Sequence, residues 1–283
     1  MKRIEKPENN IEDIITDCVS NYENEELKRK FTESIPFIKD YTDHFDSSML
    51  ENSVHLLVPH DNTNDILSTK EMVDLYNNKF SKQKQPGRIH YEKIKISAPN
   101  EKCPLCGVRI VSTLDHFMSK QLFPSLAISP INLVPACFDC NKIKGKKQFE
   151  TFEQTHLHPY YDNIDDEIWL TSEIKKDNTS SNISIQFNTV KPANYDISLY
   201  QRIITHFILF DLEHLFRVQA IDEILNVKYK LKKIKRTAGI KALYEDLLDT
   251  KNSCEKHDQN SWKSALYRAL HNNEWFVETY LDD

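Results

Sequence analysis

Glycine is scarce in this chain, with only four among 283 residues. The motifs GxGxxG and GxxxxGK[ST] are both absent, which argues against the glycine-rich loops that hold nucleotide phosphates. No apolar run approaches the roughly 18 residues of a membrane helix. The N-terminal MKRIEKPENNIEDII has basic residues but no apolar segment behind them. A signal peptide is therefore not expected, and the sequence predicts a cytoplasmic protein without membrane contact.

Cysteine is present six times, and four of the six form two CxxC pairs, Cys103/Cys106 in CPLCG and Cys137/Cys140 in CFDCN. Without a secretion signal, paired cysteines favour metal binding over disulfides. Two such knuckles can direct four thiolates at one ion, and Gly107 follows the first pair where a knuckle needs positive φ. Four protein ligands leave no open position. We therefore predict one structural zinc per chain, in preference to a thioredoxin-like redox pair or buried free thiols.

Charge is distributed unevenly along the chain. The net charge is −6, yet residues 86–149 contain ten lysines and arginines against four acids and so carry +6. A basic segment between acidic flanks is typical of a protein that binds a polyanionic substrate at one site. A solvated, lysine-rich surface explains the same charges equally well.

The hydrophobic pattern predicts an α+β protein. Apolar residues recur at helical spacing in the first third and again in the last third of the chain. Between 166 and 190 they alternate as in a β-hairpin, with a polar loop over 177–182. We expect three regions: a helical region over 1–87, a motif-bearing core over 88–162, and a hairpin followed by helices over 163–283.

Polar residues that are not expected to bind the zinc lie between the two cysteine pairs and just after the second pair. Asp115 and His116 end a predicted β-hairpin over 108–117, Asn132 follows in INLVPAC, and Asn141 stands where a helix is predicted to begin. Phosphodiester hydrolysis needs a base for water, commonly His, and a hard cation such as Mg²⁺, which binds carboxylate and amide oxygens. Taken singly, each residue also has a structural explanation as a core histidine, a turn asparagine or a helix cap.

The order DH, INLVPAC, CNKIKG resembles the signature of HNH endonucleases, in the subgroup with paired CxxC motifs. The resemblance covers about residues 100–160 and implies a zinc-clamped ββα-metal core. It also implies that His116 is the general base, that Asp115 and Asn141 hold a catalytic Mg²⁺ or Mn²⁺, and that Asn132 tethers the loop and helps hold the base. Asn141 occupies the position at which the HNH motif usually has its second His, a departure that favours Mg²⁺ over a softer ion.

The function implied is hydrolysis of the DNA backbone by a metal-dependent endonuclease. DNA is favoured over RNA by the resemblance alone. Lys142, Lys144, Lys146 and Lys147 are expected to contact the backbone without reading sequence. The alternative is a zinc-dependent module that binds nucleic acid or protein and has no catalytic activity.

The flanks resemble, more loosely, HNH proteins of bacterial anti-phage systems such as Septu and its retron-linked forms. The MKRIEKP start and the HLHPYYD segment carry this resemblance, which implies a partner ATPase. It also favours His158 over His156 for a functional role, as a metal or phosphate contact, against a simple packing role. The basic run KYKLKKIKR at 228–236 is interpreted as a solvated helix face in preference to a nucleic-acid contact.

Overall fold

The computed structural model describes residues 1–145, 149–176 and 183–282, which form two compact units, Met1–Asn163 and Ile164–Asp283. The boundary expected after residue 162 lies one residue from this division. The boundary expected after residue 87 falls inside the first unit, so the N-terminal helices and the motif-bearing segment share one compact body. Among the described residues, no helix combines the length and apolar character that a membrane crossing requires.

The first unit combines helices with two separate two-stranded antiparallel sheets. Its helices are α1 (Ile11–Val19), α2 (Glu25–Leu50), α3 (Thr69–Leu75), α4 (Arg88–Lys95) and α5 (Phe138–Lys144). Its strands are β1 (Asn62–Thr63), β2 (Leu67–Ser68), β3 (Thr113–His116) and β4 (Leu133–Ala136). α1 begins at the N-cap Asn10 and buries one apolar face, and α3 begins with a capping box formed by Ser68 and Glu71.

β3 and β4 form an antiparallel pair in which Asp115 lies opposite Val134 and His116 opposite Leu133. α5 follows directly, so the chain runs strand, strand, helix around the candidate site. The prediction of a hairpin over 108–117 is wrong. The backbone at the start of this segment belongs to the first cysteine knuckle, where Cys103 N–H donates to the Arg109 carbonyl at 2.8 Å. β3 pairs instead with β4, about 20 residues later in the chain.

The second unit contains the predicted hairpin. β5 (Leu170–Lys176) pairs antiparallel with β6 (Ile183–Thr189), as expected, and the predicted loop over 177–182 lies outside the described residues. The helices that follow are α6 (Ile197–Leu209), α7 (Leu212–Asp258) and α8 (Trp262–His271).

α7 is interrupted at Gly239, whose φ of +87° a side chain rarely allows. Lys230 Nζ lies 2.8 Å from Asp246 Oδ1 although the two residues are sixteen positions apart. In a straight helix they would be about 24 Å apart. The chain therefore folds back at Gly239.

Candidate active site and metal centre

The two cysteine pairs meet as predicted. Cys103, Cys106, Cys137 and Cys140 are all buried, and their sulfurs lie within 4.8 Å of one another. A tetrahedral zinc with Zn–S bonds of about 2.3 Å holds its sulfurs roughly 3.8 Å apart, so the cluster has about the size such an ion needs. The donor set, four sulfurs with no other ligand, suits a structural zinc.

Each knuckle directs a backbone N–H at a sulfur, as thiolate ligands require. Arg109 N–H donates to Cys106 Sγ at 3.5 Å, and Cys140 N–H donates to Cys137 Sγ at 3.4 Å. Gly107 has a φ of +69°, the conformation that the sequence predicted for it. Hydrogen bonds among the four thiols lower the pKa values of Cys106 and Cys137, with Cys103 the largest cause for both, and raise those of Cys103 and Cys140. The thiolate is the form that binds metal, so Cys106 and Cys137 are the two sulfurs that the cluster itself favours for it.

An ion pair joins the two knuckles from outside the cluster. Arg109 Nε, after the first pair, lies 2.9 Å from Asp139 Oδ2, inside the second. Because Asp139 belongs to α5, this contact and the four sulfurs together fix the start of α5 against the first knuckle.

A cleft of about 320 Å³ lies beside β3 and is bordered by Asp115, His116 and Asn141. Consecutive residues of β3, from Thr113 to His116, all border it, so both members of the Asp-His pair reach the same space despite the alternation of a strand. Three of the residues predicted for the second site are thus brought together.

Among the described residues, the ring of His116 makes one hydrogen bond. Its Nε2 lies 2.8 Å from the Ala127 carbonyl, which can only accept, so the proton of the neutral ring is assigned to Nε2. Nδ1 is then the atom with the free electron pair. Burial lowers the pKa of His116 well below its ordinary 6.5, and the charges of Lys120 and Lys144 lower it further. The ring is therefore neutral at physiological pH and able to accept a proton.

Asp115 is buried and shares its carboxylate with a buried lysine. Lys144 Nζ lies 3.1 Å from Asp115 Oδ2 and also donates to the backbone carbonyls of His116 and of Phe117, the latter at 3.2 Å. Burial raises the pKa of Asp115 to about 6, and the Lys144 ammonium limits that increase, so the group stays ionised at neutral pH. This corrects the expectation for Lys144, which is enclosed in the protein and cannot hold a DNA backbone from the surface.

Replacing Lys144 by methionine is expected to lower the free energy of unfolding by about 3–5 kcal/mol, because it leaves the Asp115 carboxylate buried without a partner. Urea denaturation of zinc-loaded protein measures this. The variant Lys142→Met removes an exposed lysine of the same helix and should change stability by less than about 0.5 kcal/mol. Adding Asp115→Asn to Lys144→Met should recover part of the loss. Equal stability of the two single variants would show that the buried pair does not support the fold.

Asn132 is fully buried beneath the loop that joins β3 to β4. Its Oδ1 accepts from Met118 N–H at 2.7 Å, and its Nδ2 donates to the carbonyls of Met118 and Leu126, each at 3.0 Å. The side chain thus holds both sides of the loop that carries Ala127, whose carbonyl orients His116. It acts on the site through the backbone and does not border the cleft.

Asn141 lies one turn into α5 and not at the start of that helix. α5 begins at Phe138 with Cys137 as its N-cap, three residues earlier than predicted. The helix-cap explanation for Asn141 is therefore excluded. Among the described residues its side chain makes no hydrogen bond, and it borders the cleft with Asp115 and His116.

His156 and His158 lie in the core, away from the cleft. The His158 ring centroid lies 4.5 Å from that of Phe117 and 4.8 Å from that of Tyr161, and both histidines are almost fully enclosed. Because His158 is buried away from the cleft, the role expected for it as a metal or phosphate contact is corrected. Packing in the core explains this residue. Lys142 is exposed on α5, whereas Lys146 and Lys147 lie outside the described residues.

Among the residues at the cleft that sequence reasoning did not select are an aromatic residue, Tyr76, and a basic residue, Lys120. Tyr76, just after α3, lies with its ring centroid 4.4 Å from that of His116. Lys120 Nζ lies 3.9 Å from the Tyr76 ring centroid and donates to Asn77 Oδ1 at 2.8 Å. Nothing in the motif marks Tyr76, which reaches the site from the N-terminal helices. Lys120 carried a weak signal as a basic residue four positions after His116.

The chain is similar to a phage protein over most of its length. The chain is 29% identical over 225 residues to Protein ea31 of Escherichia phage lambda, a match that covers 74% of each chain. No protein-family model matches the sequence, and no solved structure matches the fold.

Proposed function

We propose that this protein is a metal-dependent endonuclease of the HNH type that hydrolyses phosphodiester bonds in DNA. The observation that carries the proposal is the cleft in which an oriented, neutral histidine, a carboxylate and an amide stand together. The strand–strand–helix order of β3, β4 and α5 and the cysteine cluster that joins the first knuckle to the start of α5 suit a ββα-metal core. These features support the resemblance stated from the sequence.

His116 acts as the general base. Its Nδ1 takes a proton from the attacking water, while the Nε2–H bond to the Ala127 carbonyl holds the ring in the required tautomer. That bond also stabilises the imidazolium that forms, because the carbonyl accepts more strongly from a charged donor. Asn132 keeps the Ala127 segment in place and so fixes the direction of the base.

Asp115 and Asn141 are the residues that would hold a divalent ion. A carboxylate and an amide oxygen are hard donors, and with several waters they meet the demands of Mg²⁺ or Mn²⁺. When bound, the ion would neutralise charge on the phosphate and the leaving oxygen. Lys144 keeps the Asp115 carboxylate ionised and in place, and Lys120 at the rim of the cleft and exposed Lys142 supply positive charge for the DNA backbone.

The expected products carry 5′-phosphate and 3′-hydroxyl ends. Zinc-loaded protein should convert supercoiled plasmid to nicked circles with Mg²⁺ or Mn²⁺ and leave it intact without added divalent ions. DNA ligase should then reseal the nicks, because it needs those two end groups. Nicking that needs no added ion, or nicks that ligase cannot seal, would contradict the proposed mechanism.

The role proposed for this nuclease is in bacterial anti-phage defence, beside a partner ATPase. The support is the resemblance of the MKRIEKP and HLHPYYD segments to such nucleases. Co-purification of a tagged chain from its native host tests this part. An ATPase retained in stoichiometric amount is the expected result, and recovery of the chain without one would contradict the proposed partnership.

The Asn141 side chain offers a sharp test of the metal position. Asn141→His keeps an electron pair for the ion and should retain measurable cleavage, with Mn²⁺ performing better than Mg²⁺ because imidazole suits softer ions. Asn141→Leu has a similar size but no electron pair and should lose activity at every metal concentration. Both variants should keep the zinc and the fold, which zinc analysis and circular dichroism check. Equal, near-normal cleavage by the two variants would place the ion elsewhere.

A further inference from the structure

α7 of the second unit carries a row of residues, three exposed and one half-buried, that the nuclease mechanism does not use. Tyr229, Lys232, Lys233 and Arg236 follow one another at i, i+3, i+4 and i+7, the spacing that places residues on one face of a helix. We call this set the α7 stripe. Its members border a surface cavity of about 520 Å³. Tyr229 is 78% exposed, more than any other large apolar side chain in the described part of the chain.

Among the described residues, no acidic side chain neutralises the charges of the stripe. Residues 228–236 contain six lysines and arginines and no acid. Lys230 pairs with Asp246 and Lys235 with Asp282, which also borders the cavity. The three cations of the stripe make no ion pair among the described residues. Within residues 228–236, Lys230 and Lys235 are therefore paired inside the unit, whereas the cations of the stripe are available to a ligand.

An exposed ring flanked by unpaired cations is what single-stranded nucleic acid needs. Phosphates attract lysine and arginine, and an unpaired base stacks on an aromatic face whatever its identity. We propose that the α7 stripe binds a single-stranded nucleic-acid segment, with Lys232, Lys233 and Arg236 on phosphates and Tyr229 on a base. This binding does not depend on nuclease activity.

Fluorescence anisotropy of the full-length, zinc-loaded protein tests the proposal. The probe is a labelled 20-nucleotide oligo-dT in buffer without added divalent ions, so that no cleavage occurs, with an oligo-rU arm to compare DNA and RNA. The triple change Lys232→Glu/Lys233→Glu/Arg236→Glu should weaken binding at least ~10-fold. The slope of log affinity against log salt should fall by about 2, since each phosphate contact on a single strand contributes about 0.7.

Two controls separate the stripe from general charge and from general packing. The triple change Lys175→Glu/Lys176→Glu/Lys256→Glu alters the net charge equally at exposed positions outside the stripe and should weaken binding less than ~2-fold. Tyr229→Ala should weaken oligo-dT binding about 10-fold, Tyr229→Phe should restore it, and neither should alter binding of a matched duplex.

Several outcomes would overturn the proposal. Equal weakening by both triple changes would reduce the effect to net charge, and wild-type affinity in the stripe variant would remove the site.

Leu225, 63% exposed, lies one turn before Tyr229, so an anionic membrane is the competing ligand. Binding to phosphatidylserine vesicles that depends on the stripe, without binding to oligo-dT, would exclude nucleic acid. Retained oligo-dT binding in His116→Ala would show that the stripe and the cleft are independent.

Discussion

Replacing His116 by alanine is expected to slow plasmid cleavage by about 10²–10⁴-fold, the usual contribution of a positioned base. Zinc content, thermal stability and DNA binding should stay near those of the unchanged protein. The imidazole accepts the proton of the attacking water, whereas binding depends on lysines and the fold depends on other contacts. A time course of supercoiled plasmid loss gives the rate.

The exposed His257 on α7 provides a matched control. His257→Ala removes an imidazole with no place in the proposed mechanism and should cleave at the normal rate. Added free imidazole should restore part of the activity of His116→Ala, because the space left by the ring borders the open cleft. Cleavage by His116→Ala within about threefold of normal would remove His116 as the base.

Replacing Cys106 by serine should eliminate zinc and leave aggregated protein. Zinc binding to four thiolates contributes about 10–16 kcal/mol to such small sites, and that energy is folding free energy. Here the cluster joins the first knuckle to the start of α5, so its loss would release the helix that carries Asn141 and Lys144. Elemental analysis of protein purified without added metal should find one zinc in the normal chain and almost none in any soluble fraction of the variant.

Cys254 is half-buried on α7 and outside the cluster, so Cys254→Ser controls for the loss of a thiol. It should keep one zinc per chain and remain soluble. A soluble, fully folded Cys106→Ser protein without zinc would contradict the structural role of the cluster.

The metal centre could be predicted because its signal is local and chemically narrow. Each CxxC pair makes its own knuckle within a few residues, and few structures other than a metal site need two of them. The same holds for α1, whose apolar residues Ile11, Ile14 and Ile15 fall on one helical face, and for the β5–β6 hairpin, whose alternation is regular. In each of these cases a short window of sequence contains the whole determinant.

The candidate cleft could be predicted only in part, because its remaining determinants are tertiary. Lys144 resembles any lysine of a basic run, and only the folded chain shows that it is buried against Asp115. The pairing of β3 with β4 could not be predicted because the backbone of Cys103 and Arg109 is hydrogen-bonded within the first knuckle, which only the folded chain shows. Tyr76 reaches His116 from a segment forty residues earlier, through a contact that no local pattern encodes.

The proposed activity is cleavage of the DNA backbone by the zinc-loaded protein through His116 with the help of a divalent ion. Its most direct test is a single plasmid-cleavage experiment that compares the unchanged protein with His116→Ala, each at full zinc occupancy, with and without Mn²⁺. We expect nicked and linear DNA only for the unchanged protein with Mn²⁺. Intact plasmid in every reaction, or equal cleavage by the two proteins, would contradict it.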